Sequence, residues 1–208
     1  SLLGREDIVM SNKRMDKEDN IINTNEEMKS IYIVLSLTGT GASRLIKLYT
    51  REPYSHASIA LDPELKEMYS FARRRIHNPF TAGFIKEEID KGVFGVYKDT
   101  MCCVYRHEIT ASQYEIIKNE IEKFKENADQ YTYSYLGVFY QILHKPRKSA
   151  YKYFCSQFVA YTLEKSGENL FDKRSEMVRP IDIRKCEKLD KIYEGRLTDY
   201  RKYTQQYV

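Results

Sequence analysis

The sequence predicts an α+β protein in which an antiparallel sheet packs against helices. Apolar runs with β-type patterning, such as "IYIVLSLTG" at 31–39, dominate the first half of the chain. An Asp-Pro turn joins two of these runs, "SHASIALD" and "EMYSFARRR", which is typical of a β-hairpin. The long amphipathic segments come after most of the strands instead of alternating with them, so a series of βαβ units is not expected.

The first half of the chain is predicted to contain the sheet. After the strand at 31–39, the segment "TGTGASRLIKLYTR" is predicted as a short helix that Pro53 ends. Next come the hairpin, the segment "NPFTAGF" as a loop, and two further strands, "GVFGVY" and "MCCVYRHEI".

The second half is predicted to supply the helices. Thr110 and Gln113 have the spacing of a capping box at the start of the clearest helix, whose apolar positions are Ile117, Ile121 and Phe124. The segment "FCSQFVAYTLEKSG" predicts a second helix, with Gly167 at its C-terminal end and with Phe158, Val159 and Leu163 facing the core. The segments "MVRPIDIRKC" and "KIYEGRL" predict a short docking tail.

Length and composition favour one main domain. The chain has 208 residues, and we expect a polar N-terminal extension over 1–29 followed by a single domain over 30–208. Hydrophobic residues make up 42% of the chain, which is enough for a core without disulfides or metal staples. The net charge of +4 neither requires nor excludes an acidic partner.

The four cysteines are predicted to be reduced thiols in a cytoplasmic protein. Their spacing matches no common zinc pattern, and neither a signal peptide nor a transmembrane stretch is predicted. Cys102, Cys103 and His107 lie on or near one strand, and we interpret them as packing residues, with no metal or dissociable cofactor expected.

Cys155 and His56 are the candidate reactive pair. Cys155 stands where its helix is predicted to begin, and a helix N-terminus favours a thiolate. His56 opens an apolar strand, from which an imidazole can face a thiol held on a helix. On the predicted hairpin, residues 70–72 lie across from His56, and Ser70 is the polar candidate for a third group. The competing interpretation is that Cys155 is a small core residue, as free cysteines often are.

The segments around both residues resemble the circularly permuted papain-like hydrolases. The resemblance rests on "TGTGASRLIKLYTREPYSHASIALD", "MYSFARR", "YSYLG" and "YFCSQFVAYTLEKSG", in which the histidine precedes the cysteine. The similar proteins form the YiiX-like branch of the NlpC-type cysteine peptidase superfamily, related to lecithin:retinol acyltransferase-like enzymes. The resemblance covers roughly 31–197 and implies a permuted papain-like fold with the nucleophile at a helix N-terminus.

The resemblance also implies roles for individual residues. Cys155 corresponds to the nucleophile, His56 to the general base, and Tyr133 to a tyrosine that lines the cleft. Two positions depart from the pattern of this group, with Ser134 where an Asp is common and Ser70 where a Glu or another polar residue is common. Tyr54, Ser55 and Ser156, the neighbours of the reactive pair, are expected with Tyr133 to contact substrate.

The predicted function is a thiol-dependent hydrolase or acyltransferase acting on an amide or ester bond of a peptide or lipid-like substrate. The alternative is a non-catalytic binding module that retains the papain-like cleft, which Ser70 in place of a stronger orienting group favours. The basic segment at 73–75 is interpreted as solvated surface. For "KPRKSAYK", just before Cys155, two interpretations stay open: a solubilising loop, or a surface that binds acidic peptides or lipid headgroups. No nucleic-acid partner is expected. The sequence does not predict an oligomeric state.

Overall fold

Six antiparallel strands form the main sheet of the described part of the chain. The computed structural model describes residues 26–39, 52–75, 78–133 and 152–207. The strands of this sheet are β1 (Met28–Leu37), β2 (His56–Ala60), β3 (Met68–Arg75), β4 (Asn78–Glu87), β5 (Met101–Thr110) and β8 (Asp190–Arg196). Their order in the sheet is β4-β3-β2-β1-β5-β8, and every neighbouring pair is antiparallel. A short parallel pair, β6 (Thr132–Tyr133) and β7 (Lys152–Tyr153), lies beside it.

Helices cover the sheet and complete the α+β architecture. Two of them are long enough to organise the core, and they pack together on one face of the sheet. The helices are α1 (Gly92–Val96), α2 (Ala111–Glu126), α3 (Cys155–Lys165), α4 (Pro180–Arg184) and α5 (Tyr200–Tyr207), with 3₁₀ turns at Ser175–Met177 and Leu197–Asp199.

An apolar core lies against each face of the sheet, and successive side chains of a strand enter the two cores in turn. In β1, Ile33 belongs to the core that also contains α2 and α3, whereas Val34 belongs to a second core on the opposite face. The larger core is rich in aromatic residues, and Phe124 and Phe158 meet there in an edge-to-face contact with ring centroids 5.2 Å apart. The sheet is therefore a buried central layer from which side chains can project in either direction.

Several predicted elements are confirmed. The β2–β3 hairpin has the expected Asp-Pro turn, and Asp62 accepts hydrogen bonds from the backbone N–H groups of Lys66 and Glu67 at 3.0 and 2.6 Å. The capping box at Thr110 and Gln113 is present at the start of α2. Gly167 follows the end of α3 with φ of +88°, a conformation that glycine adopts without strain.

Two predictions about secondary structure are wrong. The segment "NPFTAGF" is not a loop but the first part of β4, and "GVFGVY" is not a strand but contains α1. A Cβ atom at Gly83 would lie 2.7 Å from the Tyr131 carbonyl oxygen, so this glycine allows another chain segment to approach the strand closely. In α1, Phe94 is the buried residue, and it packs in the second core with Val34.

The two ends of the predicted domain differ in detail from expectation. The segment "KIYEGRL" forms most of the edge strand β8, so the predicted docking tail extends the sheet. β1 begins at Met28, inside the predicted N-terminal extension, and the Glu27 carbonyl accepts a hydrogen bond from Ala111 N–H at 2.7 Å. The predicted helix over 38–51 and the segment 134–151 lie mainly outside the described residues. Within the described ranges, no helix has both the length and the apolar character needed to cross a membrane.

Candidate functional site

Cys155 is the first residue of α3, and the start of this helix is open to an anion. The preceding residue, Phe154, has extended backbone angles and supplies no side-chain cap. The first hydrogen bond of the helix joins Phe158 N–H to the Phe154 carbonyl at 3.0 Å. The N–H groups of the first helical turn before Phe158 therefore have no acceptor within the helix, and together with the helix dipole they favour negative charge on the cysteine sulfur.

His56 is the first residue of β2, and its ring lies near Cys155 at the start of this strand. β2 packs against α3, so the sheet brings the imidazole to the start of the helix. The His56 ring lies close enough to the Cys155 thiol that each group shifts the pKa of the other. The backbone N–H groups of Ala57 and Ser156 also lower the pKa of this thiol. The structure therefore brings the two predicted residues together.

Glu87, which the sequence analysis did not single out, holds the other side of the imidazole. Its Oε1 lies 2.9 Å from His56 Nε2, and the Glu87 side chain is only 8% exposed. Glu87 ends β4, where it pairs with Met68, and Met68 in turn pairs with Ala60. Because paired residues share a face, Glu87 projects from the same face as His56. With Nε2 bound to the carboxylate, Nδ1 is the ring nitrogen that remains for Cys155.

The three groups shift one another's protonation toward a charged state. Burial disfavours the His56 imidazolium, but the Glu87 carboxylate and the Cys155 thiol outweigh this effect and raise the pKa of His56 to about 10. Burial likewise opposes the thiolate, yet hydrogen bonding and attraction from His56 lower the pKa of Cys155 below its usual range. The arrangement therefore favours the charged forms of all three groups, a thiolate, an imidazolium and a carboxylate.

Three serines surround the His56–Glu87 pair. The Ser58 hydroxyl donates a hydrogen bond to Glu87 Oε2 and lies 3.3 Å from His56 Nε2. Ser70, the predicted third group, is buried near enough to Glu87 to lower the pKa of that carboxyl, but its hydroxyl makes no well-aligned hydrogen bond within the described residues. Ser36, directly across from His56 in β1, likewise has no hydrogen-bond partner there. The carboxylate that contacts the imidazole ring therefore comes from β4, two strands away from His56 in the sheet.

The residues expected to contact substrate are largely engaged within the protein. The Tyr54 hydroxyl donates to Glu194 Oε1 at 2.8 Å, and the Ser156 hydroxyl donates to the Val178 carbonyl at 2.7 Å. Ser55 is half-buried, and its backbone N–H donates to the Ser36 carbonyl at 3.1 Å. The backbone of Tyr133 belongs to β6, but its side chain lies outside the described part of the structure.

The cysteines of β5 differ from Cys155. Cys102 and Cys103 are fully buried in the sheet, and burial raises the pKa of Cys102 to about 12. His107, on the same strand, binds Glu168 Oε2 at 2.8 Å through Nε2. In the described ranges, no three histidine, cysteine or carboxylate side chains are grouped so that they could hold a metal ion.

One signal in the sequence could have led to Glu87. Within the misassigned loop, the run "FTAGF" alternates apolar residues with Thr and Gly as a strand does, and "IKEE" directly follows it. Treating the whole segment as a third strand after the hairpin would have placed a carboxylate two strands from His56. Comparisons with protein-family models, with curated proteins and with solved structures found no match for this chain.

Proposed function

We propose that this protein is a thiol-dependent hydrolase or acyltransferase that acts on an amide or ester bond of a peptide or lipid-like substrate. The observation that carries the proposal is the position of His56, between the Glu87 carboxylate and a thiol at the uncapped start of α3. A permuted papain-like fold is part of the same proposal. It is supported by the histidine preceding the cysteine and by the helix that carries Cys155 packing on an antiparallel sheet.

In the first half of the reaction, the Cys155 thiolate attacks the substrate carbonyl carbon. The bond between sulfur and carbon forms while the carbonyl electrons move to oxygen, and N–H groups of the first turn of α3 stabilise this oxyanion. The intermediate then expels the amine or alcohol, which takes its proton from the His56 imidazolium. The products of this half are a thioester on Cys155 and a neutral imidazole.

In the second half, water or an amine resolves the thioester. Neutral His56 removes a proton from the incoming group, whose oxygen or nitrogen attacks the thioester carbon. The carbon–sulfur bond breaks, and the thiolate and the imidazolium return to their starting state. Water gives hydrolysis and an amine gives acyl transfer. Glu87 stabilises the imidazolium and holds the ring in one orientation throughout.

Alkylation across a pH series tests the proposal directly. Iodoacetamide is added to the native protein between pH 4.5 and 9, and modification of Cys155 is followed by peptide mass spectrometry. We expect a rate plateau that persists below about pH 7, because an ordinary thiol with a pKa near 8.5 loses reactivity over that range. A p-nitrophenyl ester should also leave an acyl group on Cys155, and Cys186, the half-buried cysteine outside the site, serves as the internal control.

The second candidate function is a binding module without turnover. It is favoured by the burial of Cys155, whose relative exposure is 4%. Slow alkylation of Cys155 at every pH, with no acyl group retained from the ester, would support this candidate and contradict the enzyme.

A further inference from the structure

Ser58 occupies a special position beside the reactive pair. It is fully buried in β2, two residues after His56, so both side chains project from the same face of the sheet. Its hydroxyl donates to Glu87 Oε2, while Glu87 Oε1 faces His56 Nε2. The two oxygens of one carboxylate are thus held by two different groups of the same strand.

This arrangement matters because the terminal torsion of a glutamate side chain is soft. One contact, to His56, leaves the carboxylate plane free to turn, whereas a second contact to the other oxygen fixes that plane. A buried carboxylate also needs hydrogen-bond donors to remain ionised, and each donor favours the charged form.

We propose that Ser58 is a positioning residue that orients and keeps ionised the Glu87 carboxylate, which in turn holds His56 against Cys155. This inference rests on the proposed function. It makes Ser58, whose hydroxyl donates to Glu87 Oε2, a serine on which the reactivity of Cys155 depends.

Ser36 provides a matched control. It is also a fully buried serine on a strand of the same sheet, paired with His56 itself, but its hydroxyl has no hydrogen-bond partner among the described residues. Ser36→Ala removes the same atom from the same neighbourhood without removing a donor from Glu87.

The test compares the pH profiles of Cys155 alkylation by iodoacetamide in wild type, Ser58→Ala and Ser36→Ala. Without the Ser58 hydroxyl, the Glu87 pKa rises, so the carboxylate is lost earlier as the pH falls and the imidazolium loses its counter-charge. We expect the acid limb of Ser58→Ala to move to higher pH, with alkylation at pH 5 about threefold to tenfold slower than in wild type. Ser36→Ala should superimpose on wild type, and Ser58→Thr, which restores a hydroxyl, should recover most of the lost rate.

Two results overturn the inference: a Ser58→Ala profile identical to wild type, or an equal shift in Ser36→Ala. If Ser58→Ala does not fold, Ser58→Cys keeps the size of the side chain with a weaker donor and is judged by the same criteria.

A second readout separates this inference from the proposed function. The His56 ring is titrated by NMR in wild type and in Ser58→Ala, with His56→Gln used to assign its signal. If Cys155 proves unreactive but Ser58→Ala lowers the pKa of His56, the positioning role stands and the enzymatic proposal fails. If Cys155 is reactive and neither readout responds to Ser58→Ala, the enzyme stands and the role of Ser58 is refuted.

Discussion

Two histidine–glutamate pairs in this molecule have nearly the same local geometry but different surroundings. His56 and Glu87 approach to 2.9 Å beside the start of α3, and His107 and Glu168 approach to 2.8 Å beside the start of α2. Both pairs are largely buried. The two pairs differ in whether the adjacent helix start is capped.

At α2, a capping box occupies the helix start. Its residue Gln113 accepts a hydrogen bond from Thr110 N–H, and the Gln113 amide nitrogen donates to Glu168 at 2.7 Å. The His107–Glu168 pair is therefore connected to a helix cap. At α3 the residue before the helix is Phe154, which caps nothing with its side chain, and the pair ends at a thiol. A buried His–Glu pair therefore does not by itself indicate a reactive site. Whether the adjacent helix start is capped decides if the pair supports a helix cap or stabilises an anion.

Replacing the two histidines gives the largest expected contrast. His56→Ala removes the imidazolium that stabilises the thiolate, and alkylation of Cys155 at pH 6 should fall about 100-fold or more. His107→Ala should leave that rate within about twofold, because this ring does not contact the thiol. The rates are measured by mass spectrometry of folded protein. Equal losses of alkylation rate in both variants would show that the two histidines do not differ in their effect on Cys155.

Replacing the two glutamates tests the same difference between the pairs, with a smaller expected effect on the alkylation rate. Glu87→Gln keeps the shape of the side chain but removes the charge that raises the pKa of His56, so Cys155 alkylation at pH 6 should slow about tenfold. Glu168→Gln should leave the rate unchanged. An unaffected Glu87→Gln variant would show that the imidazole needs no carboxylate partner.

The smallest effect is expected at the capped helix and should appear in stability. Gln113→Ala removes half of the capping box and the contact to Glu168, and we expect about 1 kcal/mol less free energy of unfolding. Chemical denaturation measures this change, and the alkylation profile of Cys155 should stay as in wild type. A shift in that profile would mean that the two helix starts are coupled.

The sequence predicts the local parts of this molecule better than the contacts that cross it. The capping box, the glycine after α3 and the Asp-Pro hairpin are confirmed because each depends on residues close together in the chain. β4 was missed because Pro79 and Gly83 resemble loop residues, although Gly83 is explained by the close approach of Tyr131, far along the chain. Glu87 was missed with it, since its partner is identified only when the order of the strands is known.

Because side chains alternate along β4, Glu87 reaches His56 only when this strand pairs with β3 in the correct register. The strand directs Phe84 into the core beneath α2 and α3 and, three residues later, directs Glu87 to the opposite face, where His56 stands. A slip of β4 by one residue against β3 would reverse both directions at once, stranding a carboxylate in hydrocarbon and leaving the imidazole without its counter-ion. If Cys155 reacts as proposed, the fraction of molecules with a fast-reacting thiol in a refolded sample therefore reports the fraction in which β4 has paired in the correct register.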